Sequence, residues 1–294
     1  METSRATALK TADYASLVDA ALTEDLGNID VDADLTAVWT IDGDAHTQAR
    51  IIARERGVAA GIEVARAVFA RLDGEIDFSA LVADGDPVKA DGVLIHLRGK
   101  ARSLLAGERT ALNFLQQLSG VSTLTRRFVE AVEDTPAQIT DTRKTTPGWR
   151  QLQKWAVRLG GGVNHRMGLY DAVLIKENHA AAAGGVGAAV RKARLASLDY
   201  PLPIYVETET LDEVEEALAE GPDRIMLDNM DTDTMRRAVE LIRAASPTSE
   251  IEATGGYTLD TVAAAATTGV DLISIGALTH SAPALDMSML FEGK

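Results

Sequence analysis

Between Asp141 and His179 the chain carries seven Lys or Arg (Arg143, Lys144, Arg150, Lys154, Arg158, Arg166 and Lys176) against three acids, Asp141, Asp171 and Glu177. Seven minus three leaves a local charge near +4 in a chain of formal net charge -15. A basic island punctuated by Gly160, Gly161 and Gly162 inside an acidic protein has the composition of a polyanion site, because electrostatic fields are local. Lys144 and Lys176 are compact point charges suited to phosphate, whereas Arg143 and Arg166 present planar forks that match carboxylates. His165, beside Arg166, can also donate to a carboxylate. Arg150, Lys154 and Arg158 follow one another at i, i+4 and i+8 on a helix over 149–158. They read mainly as surface charge, with Lys154 the one turned toward the site.

Two carboxylates further on, Glu207 and Asp228, complete the chemistry. Three readings stand open for them: ligands of a Mg²⁺ ion that is also held by substrate phosphates and water, a general acid/base pair, or salt bridges to Lys144 or Lys176. Glu209 has the same parity as Glu207 in a period of two, but falls in the following loop. Thr254-Gly255-Gly256 and Gly276-Ala277-Leu278 precede helical stretches, where glycine lets backbone N–H groups approach a phosphate at a helix N-terminus. Together these groups ask for a ligand with one phosphate, a diphosphate-like group with Mg²⁺, and one or more carboxylates. A phosphoribosyl donor with an acidic acceptor meets that demand.

The elements that must carry these residues follow a β-then-α rhythm. Short apolar runs at 172–175, 203–206, 224–227, 250–253 and 271–275 read as strands, and 180–198, 211–220, 232–245 and 258–268 read as helices between them. The strands end at Lys176, Glu207, Asp228, Thr254 and Gly276. In a β/α barrel such ends converge on one mouth, where the chemistry sits. No G-x-G-x-x-G follows a strand and no G-x-x-x-x-G-K-[ST] occurs, which argues against dinucleotide and P-loop folds. The first half differs. A helix over 14–26 and an acidic loop from Gly27 to Asp34 precede a strand and turn over 46–61. A helix over 63–72 and strands near 76–82 and 92–99 follow, an α+β domain with a mostly antiparallel sheet. An amphipathic helix spans 102–118, with Arg109, Asn113 and Gln116 sharing a polar face at i, i+4 and i+7. A further helix over 121–133 follows Gly120. The apolar alternation of Leu285, Met287 and Leu290 after Pro283 predicts a strand that leaves the barrel and returns to the first domain's sheet.

The totals set bounds. At 294 residues the chain can bury a large core and make two domains. With no cysteine, disulfides and zinc-thiolate sites are excluded, and a cytoplasmic setting is expected. The N-terminal METSRATALKTADYASL lacks the apolar core of a secretory signal, and no apolar run is long enough to span a membrane. The net negative charge argues against broad nucleic-acid binding.

GERTALNFLQQLSG at 107–120, DTRKTTPGWRQLQKWAV at 141–157, GGGVNHRMGLYDAVLIKENH at 160–179 and LDNM at 227–230 are long and specific. With VETET, EATGG and SIGALTHSAPALDMS, they make the chain resemble the quinolinate phosphoribosyltransferases over nearly its whole length, most weakly before residue 45. The resemblance implies an α/β protein: an incomplete TIM-like α/β barrel over 118–284, and an N-terminal open-faced α/β sandwich domain built from 1–117 plus 285–294. It implies transfer of the 5-phosphoribosyl group from 5-phosphoribosyl 1-pyrophosphate to quinolinate with decarboxylation, giving nicotinate mononucleotide, pyrophosphate and CO₂ in NAD biosynthesis, with Mg²⁺ as cofactor. By the same likeness Arg143, His165 and Arg166 hold the quinolinate carboxylates. Lys144 and Lys176 meet substrate carboxylate and donor diphosphate. Glu207 and Asp228 engage ribose hydroxyls and Mg²⁺, and Thr254, Gly255 and Gly276 line the 5-phosphate loops. Arg109 is expected to reach the acidic substrate across the interface of a homodimer, or of a higher oligomer built from dimers. Lys144, Lys176, Glu207 and Asp228 are the expected catalytic set. The family usually carries Asp at the position of Glu177 and Ser at that of Thr254, swaps that keep a carboxylate and a hydroxyl. Rival readings are a nicotinate-specific transferase, a Schiff-base aldolase using Lys176, a barrel acting on another pyridine-like or pterin-like acceptor, and a non-catalytic anion-binding barrel. The first needs only one carboxylate pocket, and the last leaves Glu207 and Asp228 without a role.

Overall fold

The computed structural model describes residues 9–292. Residues 1–8 and 293–294, assigned above to the N-terminal domain, lie outside the described residues. In chain order the elements are α1 (Ala15–Leu26), α2 (Leu35–Thr40), β1 (His46–Ala53), β2 (Gly57–Val58), α3 (Ile62–Leu72), β3 (Asp77–Ala80), β4 (Pro87–Val88), β5 (Val93–Lys100) and α4 (Ala101–Glu130). Then come β6 (Gln138–Thr140), α5 (Arg150–Leu159), β7 (Val173–Ile175), α6 (Glu177–Ala183), α7 (Val186–Ala196), β8 (Ile204–Thr208) and α8 (Leu211–Glu220). The last are β9 (Arg224–Asp228), α9 (Thr232–Ala245), β10 (Glu250–Thr254), α10 (Val262–Ala266), β11 (Leu272–Ser274), α11 (Ala277–His280) and β12 (Met287–Glu292). Two compact units result: 1–126 with 146–161 and 281–294, and 127–145 with 162–280. Segment 146–161, which carries α5, thus groups with the first unit, whereas the sequence boundaries above leave it with the barrel.

The first unit holds an antiparallel sheet of order β12-β1-β5-β3. Its strands alternate as a half-covered sheet must: Ala49, Ile51, Ile95 and Leu97 are buried, while Gln48, Arg50 and Arg98 between them are exposed. The buried Phe69 of α3 meets Gly107 of α4, where a Cβ would lie 2.8 Å from the Phe69 ring. The tail strand β12 pairs antiparallel with β1, setting Met289 opposite Ile51, and Leu285, Met287 and Met289 are buried. Short β2 and β4 form a separate pair.

Several sequence expectations change here. The break expected at Gly120 is absent, and α4 runs through it as one helix. Gly120 is a packing residue, because a Cβ there would sit 2.1 Å from the Pro283 carbonyl oxygen of the returning tail. The helix expected over 180–198 is two, α6 and α7, split by Gly184 and Gly185 at φ of 96° and 119°. The helix expected over 258–268 shortens to α10, and α2 was not expected at all.

The second unit is a six-stranded parallel sheet of order β6-β11-β10-β9-β8-β7, with β6 and β7 at its ends. Helices α6 to α10 fall between successive strands from β7 to β11. This is the barrel that the rhythm predicts and, in its incomplete TIM-like form, the one that the resemblance implies, with one strand more than the sequence reading found. β6 escaped notice because Ile139 is the one large apolar residue among its three, Gln138–Thr140, so it shows no apolar run before Asp141. The parallel register places Glu207 opposite Met226, Met226 opposite Glu252, and Glu252 opposite Leu272. Asp228 lies opposite Thr254 and Ser274 opposite Thr140. Since parity is kept across strands, these residues share one side of the sheet.

Two outcomes are expected. Gly120→Ala should lower stability by about 1–3 kcal/mol through overpacking, whereas Gly74→Ala, with nothing within 4 Å of its Cβ position, should stay within about 0.5 kcal/mol; urea denaturation reads both. Asp84 accepts the Ile62 N–H at the start of α3, yet burial outweighs this bond and pushes its pKa up to about 6. The folded state therefore binds the proton more tightly, and this group's contribution to stability falls as pH rises from about 4 to about 6. Asp84→Asn should accordingly raise the melting temperature at pH 7, with the gain vanishing near pH 4.

Candidate active site

A cavity of about 460 Å³ in the second unit opens at the C-terminal ends of its parallel strands. It is lined by Arg143, Lys144, His165, Arg166, Lys176, Glu207, Asp228, Thr254 and Gly255, so most residues singled out from the sequence meet there. Two do not line it. Gly276 lies beside it, its Cβ position 3.1 Å from Lys144 Cδ. Arg109 is exposed on α4 in the first unit. Gln116, assigned to the same polar face, instead donates to the Met287 carbonyl at 2.9 Å. Lys154, expected to turn toward the site, does not line the cavity: it is buried, with only 1% exposed, and belongs to the first unit, whereas Arg158 is exposed.

The cations sit on segments that follow or flank strand ends. Thr140 at the end of β6 bridges Val163, bringing 163–166 beside 141–144. Asp141 is fully buried and clamps that approach: its Oδ1 accepts the His165 N–H at 2.9 Å and its Oδ2 accepts from Asn164 Nδ2 at 2.6 Å. Arg166 Nη1 donates to the Ala172 carbonyl at 2.8 Å. The loop between is closed by Asp171, which accepts the Met167 and Gly168 N–H groups at 2.6 and 2.8 Å. The Arg166 guanidinium is held below its ordinary pKa by burial and by the neighbouring Arg143 charge. Two guanidiniums that oppose one another in a partly dry cavity form a site that gains from a bound dianion.

Lys176 follows β7, its N–H capped by His179 Nδ1 at 3.0 Å, and its Nζ is paired with Glu207 Oε1. One of the three readings of Glu207 is thus realised in this structure. Asp228 is pushed up by burial, against the pull of the Lys176 and Lys144 charges, so both lysines act on the carboxylate. Glu209 lies in the loop after β8 with its N–H on Glu213. Its carboxyl is also raised, by desolvation and by the surrounding Glu177, Asp228, Glu213 and Glu207. Among the described residues no group of three or more His, Cys, Asp or Glu is arranged to hold a metal. Glu207 and Asp228 instead offer carboxylates from adjacent strands, a donor set that fits a Mg²⁺ ion sharing its sphere with substrate phosphates and water.

The glycine-rich side of the cavity is built from backbone. Gly255 has φ 147°, and a Cβ there would lie 2.9 Å from Asn229 Oδ1. Asn229, itself at φ 54°, donates its N–H to the Thr254 carbonyl at 3.0 Å. The ends of β9 and β10 are thereby locked together, and Gly255 and Gly256 are left as bare backbone along the cavity. Sequence reasoning missed Asp141, Asn229, Arg224 and Glu252. The signal for Glu252 was present: an acid between Ile251 and Ala253 in a buried strand demands a partner.

Residues 34–119 and 121–290 match the profiles described as "Quinolinate phosphoribosyl transferase, N-terminal domain" and "C-terminal domain". The chain belongs to the quinolinate phosphoribosyltransferase family. A family relative from Synechocystis sp., named probable nicotinate-nucleotide pyrophosphorylase (carboxylating), is 48% identical over 91% of this chain and 89% of its own. A mitochondrial quinolinate phosphoribosyltransferase (decarboxylating) of Nicotiana glauca is 42% identical over 96% of this chain and 83% of its own. The solved nicotinate-nucleotide pyrophosphorylase of Francisella tularensis superposes with a TM-score of 0.91 at 38% identity, covering 98% of this chain and 99% of that one. Among the described residues of this family member, no helix is long and apolar enough to cross a membrane.

Inorganic pyrophosphate is expected to bind the protein and raise its melting temperature. Removing one charge-assisted partner, by Lys144→Ala or Lys176→Ala, should weaken that binding about ten-fold, or about 1.4 kcal/mol. Isothermal titration measures it.

Proposed function

We propose that the chain transfers the 5-phosphoribosyl group of 5-phosphoribosyl 1-pyrophosphate to quinolinate, yielding nicotinate mononucleotide, pyrophosphate and CO₂ for NAD biosynthesis. Family membership supports the reaction. The observation that carries the acceptor's identity is the Arg143–Arg166 pair, two mutually opposed guanidiniums in one cavity, which favours a dicarboxylate over a monocarboxylate. In this reading Arg143 and Arg166 hold the acceptor carboxylates and orient the ring nitrogen. Lys144 and Lys176 take up charge on the departing diphosphate, and the backbone of Thr254 and Gly255 with the Gly276 loop holds the 5-phosphate. Glu207 and Asp228 face the ribose, where their charge stabilises the developing oxocarbenium-like carbon. Both are also the proposed Mg²⁺ ligands; bound Mg²⁺ would neutralise diphosphate oxygens. Ligand binding must then compete with the Lys176–Glu207 ion pair, which frees Lys176 for the diphosphate.

The ring nitrogen forms its bond to ribose C1 as the bond to diphosphate breaks. The C2 carboxylate then leaves as CO₂, its bonding electrons remaining at C2 under the pull of the cationic ring nitrogen, and C2 takes a proton. No protein acid is required to break the carbon–carbon bond.

A homodimer, or a higher oligomer of dimers, belongs to the same proposal, with Arg109 of one copy serving the acceptor in the other. Support comes from the exposure of Arg109 and of the large apolar residues Trp39, Leu169 and Tyr170. A cytoplasmic setting is also proposed, since a chain with no cysteine draws nothing from an oxidising compartment.

The test is turnover with 5-phosphoribosyl 1-pyrophosphate, Mg²⁺ and either quinolinate or nicotinate. CO₂ release with quinolinate and no nucleotide from nicotinate is the expected result; efficient use of nicotinate would overturn the acceptor assignment. Arg166→Ala should raise KM for quinolinate by at least about ten-fold, the loss of one charge-assisted partner.

A further inference from the structure

At the wall of the cavity, which His165 and Glu252 help to line, is a connected set of buried polar side chains that the reaction above leaves without a role. Glu252, at the centre of β10, is fully buried. Its Oε2 accepts from Arg224 Nη1 at 2.7 Å and lies 3.5 Å from His165 Nε2. Arg224 is held from its other side by Glu250, through Nε at 3.0 Å and Nη2 at 2.8 Å, and stacks 4.3 Å over the Tyr205 ring. Tyr205 in turn meets the His165 ring edge-on at 5.6 Å. An apolar side chain would fill position 252 without the desolvation cost that a buried carboxylate brings. Burial alone would neutralise Glu252, but His165 and Arg224 outweigh it and hold the carboxyl below its ordinary pKa.

His165 shows what this arrangement secures. The backbone N–H of Arg166 points at His165 Nδ1 at 2.8 Å. A backbone N–H only donates, so Nδ1 carries a lone pair and the ring proton resides on Nε2, facing Glu252. The ring therefore lies between two elements: Nε2 is 3.5 Å from Glu252 Oε2 on β10, and Nδ1 receives the Arg166 N–H. The His165 main chain is pinned as well, by Asp141 Oδ1. With its backbone held on His165, Arg166 extends to the Ala172 carbonyl and into the cavity.

We propose that Glu252 is a positioning residue for the acceptor site: its Oε2 keeps the proton on His165 Nε2, which leaves Nδ1 as the acceptor that locks the Arg166 backbone and aims its guanidinium. The identity of the acceptor rests on the reading under Proposed function; the tautomer does not. In this arrangement His165 serves quinolinate through Arg166 and acts as a structural relay rather than as a carboxylate-binding cation. Arg224 acts one step further back, by fixing the Glu252 oxygen.

Three measurements test this. Long-range ¹⁵N correlation spectra of the ligand-free wild-type protein should show His165 protonated on Nε2 alone. A doubly protonated ring, or one protonated on Nδ1, overturns the proposal without any substrate being present. Glu252→Ala should raise KM for quinolinate about ten-fold, with kcat and KM for 5-phosphoribosyl 1-pyrophosphate each changed less than about two-fold. Glu252→Gln should restore quinolinate KM to within about three-fold of wild type, because its amide oxygen can occupy the Oε2 position and accept from both neighbours. Equal loss for both substrates in Glu252→Ala, or a Gln variant as impaired as Ala, overturns it, since the first indicates general loosening and the second a role for charge alone. Should Glu252→Ala fail to fold, the spectrum and the isosteric Gln variant decide. Absence of quinolinate turnover in the wild type sinks the acceptor assignment and leaves the tautomer measurement intact.

Discussion

The in-phase register of the parallel strands in the second unit is the constraint on which the site depends. Parallel pairing keeps parity from strand to strand, so Glu207, Met226, Glu252 and Leu272 form one row, with Asp228 and Thr254 in the next. A slip of one residue in β9 would turn Asp228 away from the cavity and bring an apolar side chain in. The rows also sort charge by depth. The Arg224–Glu252 ion pair is buried, while Asp228 and the two lysines near it stand nearer the opening. The groups proposed to meet a substrate are left partly wet, and those proposed to position others are dry.

Electrostatics then explains how a chain of net charge -15 serves anionic substrates. The cations are concentrated at strand ends whose backbones are held by buried acceptors, Asp141 above all. The charges lining the cavity are not balanced among themselves. Arg143 and Arg166 oppose each other, and Asp228 is kept above its ordinary pKa by burial. Anions relieve the first strain and a cation the second, which is the balance the proposed substrates and Mg²⁺ would supply. The Lys176–Glu207 pair engages the two side chains with one another.

The strand rhythm of the second unit was legible because each βα repeat is a local pattern, and the polar residues at the strand ends stood out against apolar runs. So were Arg143, Lys144, Arg166, Lys176, Glu207, Asp228 and the Gly255 loop, whose side-chain types and spacings declare their chemistry. Glu252 and Asp141 were harder to see. Neither is distinguished by its type in an acidic chain, and each matters through partners far away in sequence: Arg224 and His165 for the one, Asn164 and His165 for the other. The role of His165 turned on a single backbone N–H and its direction, which residue type cannot convey.

By itself, the sequence determined the fold class, the side chains available to a phosphoribosyl donor and an acidic acceptor, and the family, because periodicity and motif are local properties of a chain. Tertiary structure decided what depends on close approach between distant segments. It made Gly120 a contact for the returning tail instead of a helix break and gave β6 its place beside β11. It also separated the side chains that face the cavity from those that hold them. The basic island from Asp141 to His179 illustrates the division: its charge could be counted along the chain, but only folding shows that its aim is set from outside it, by a carboxylate on β10.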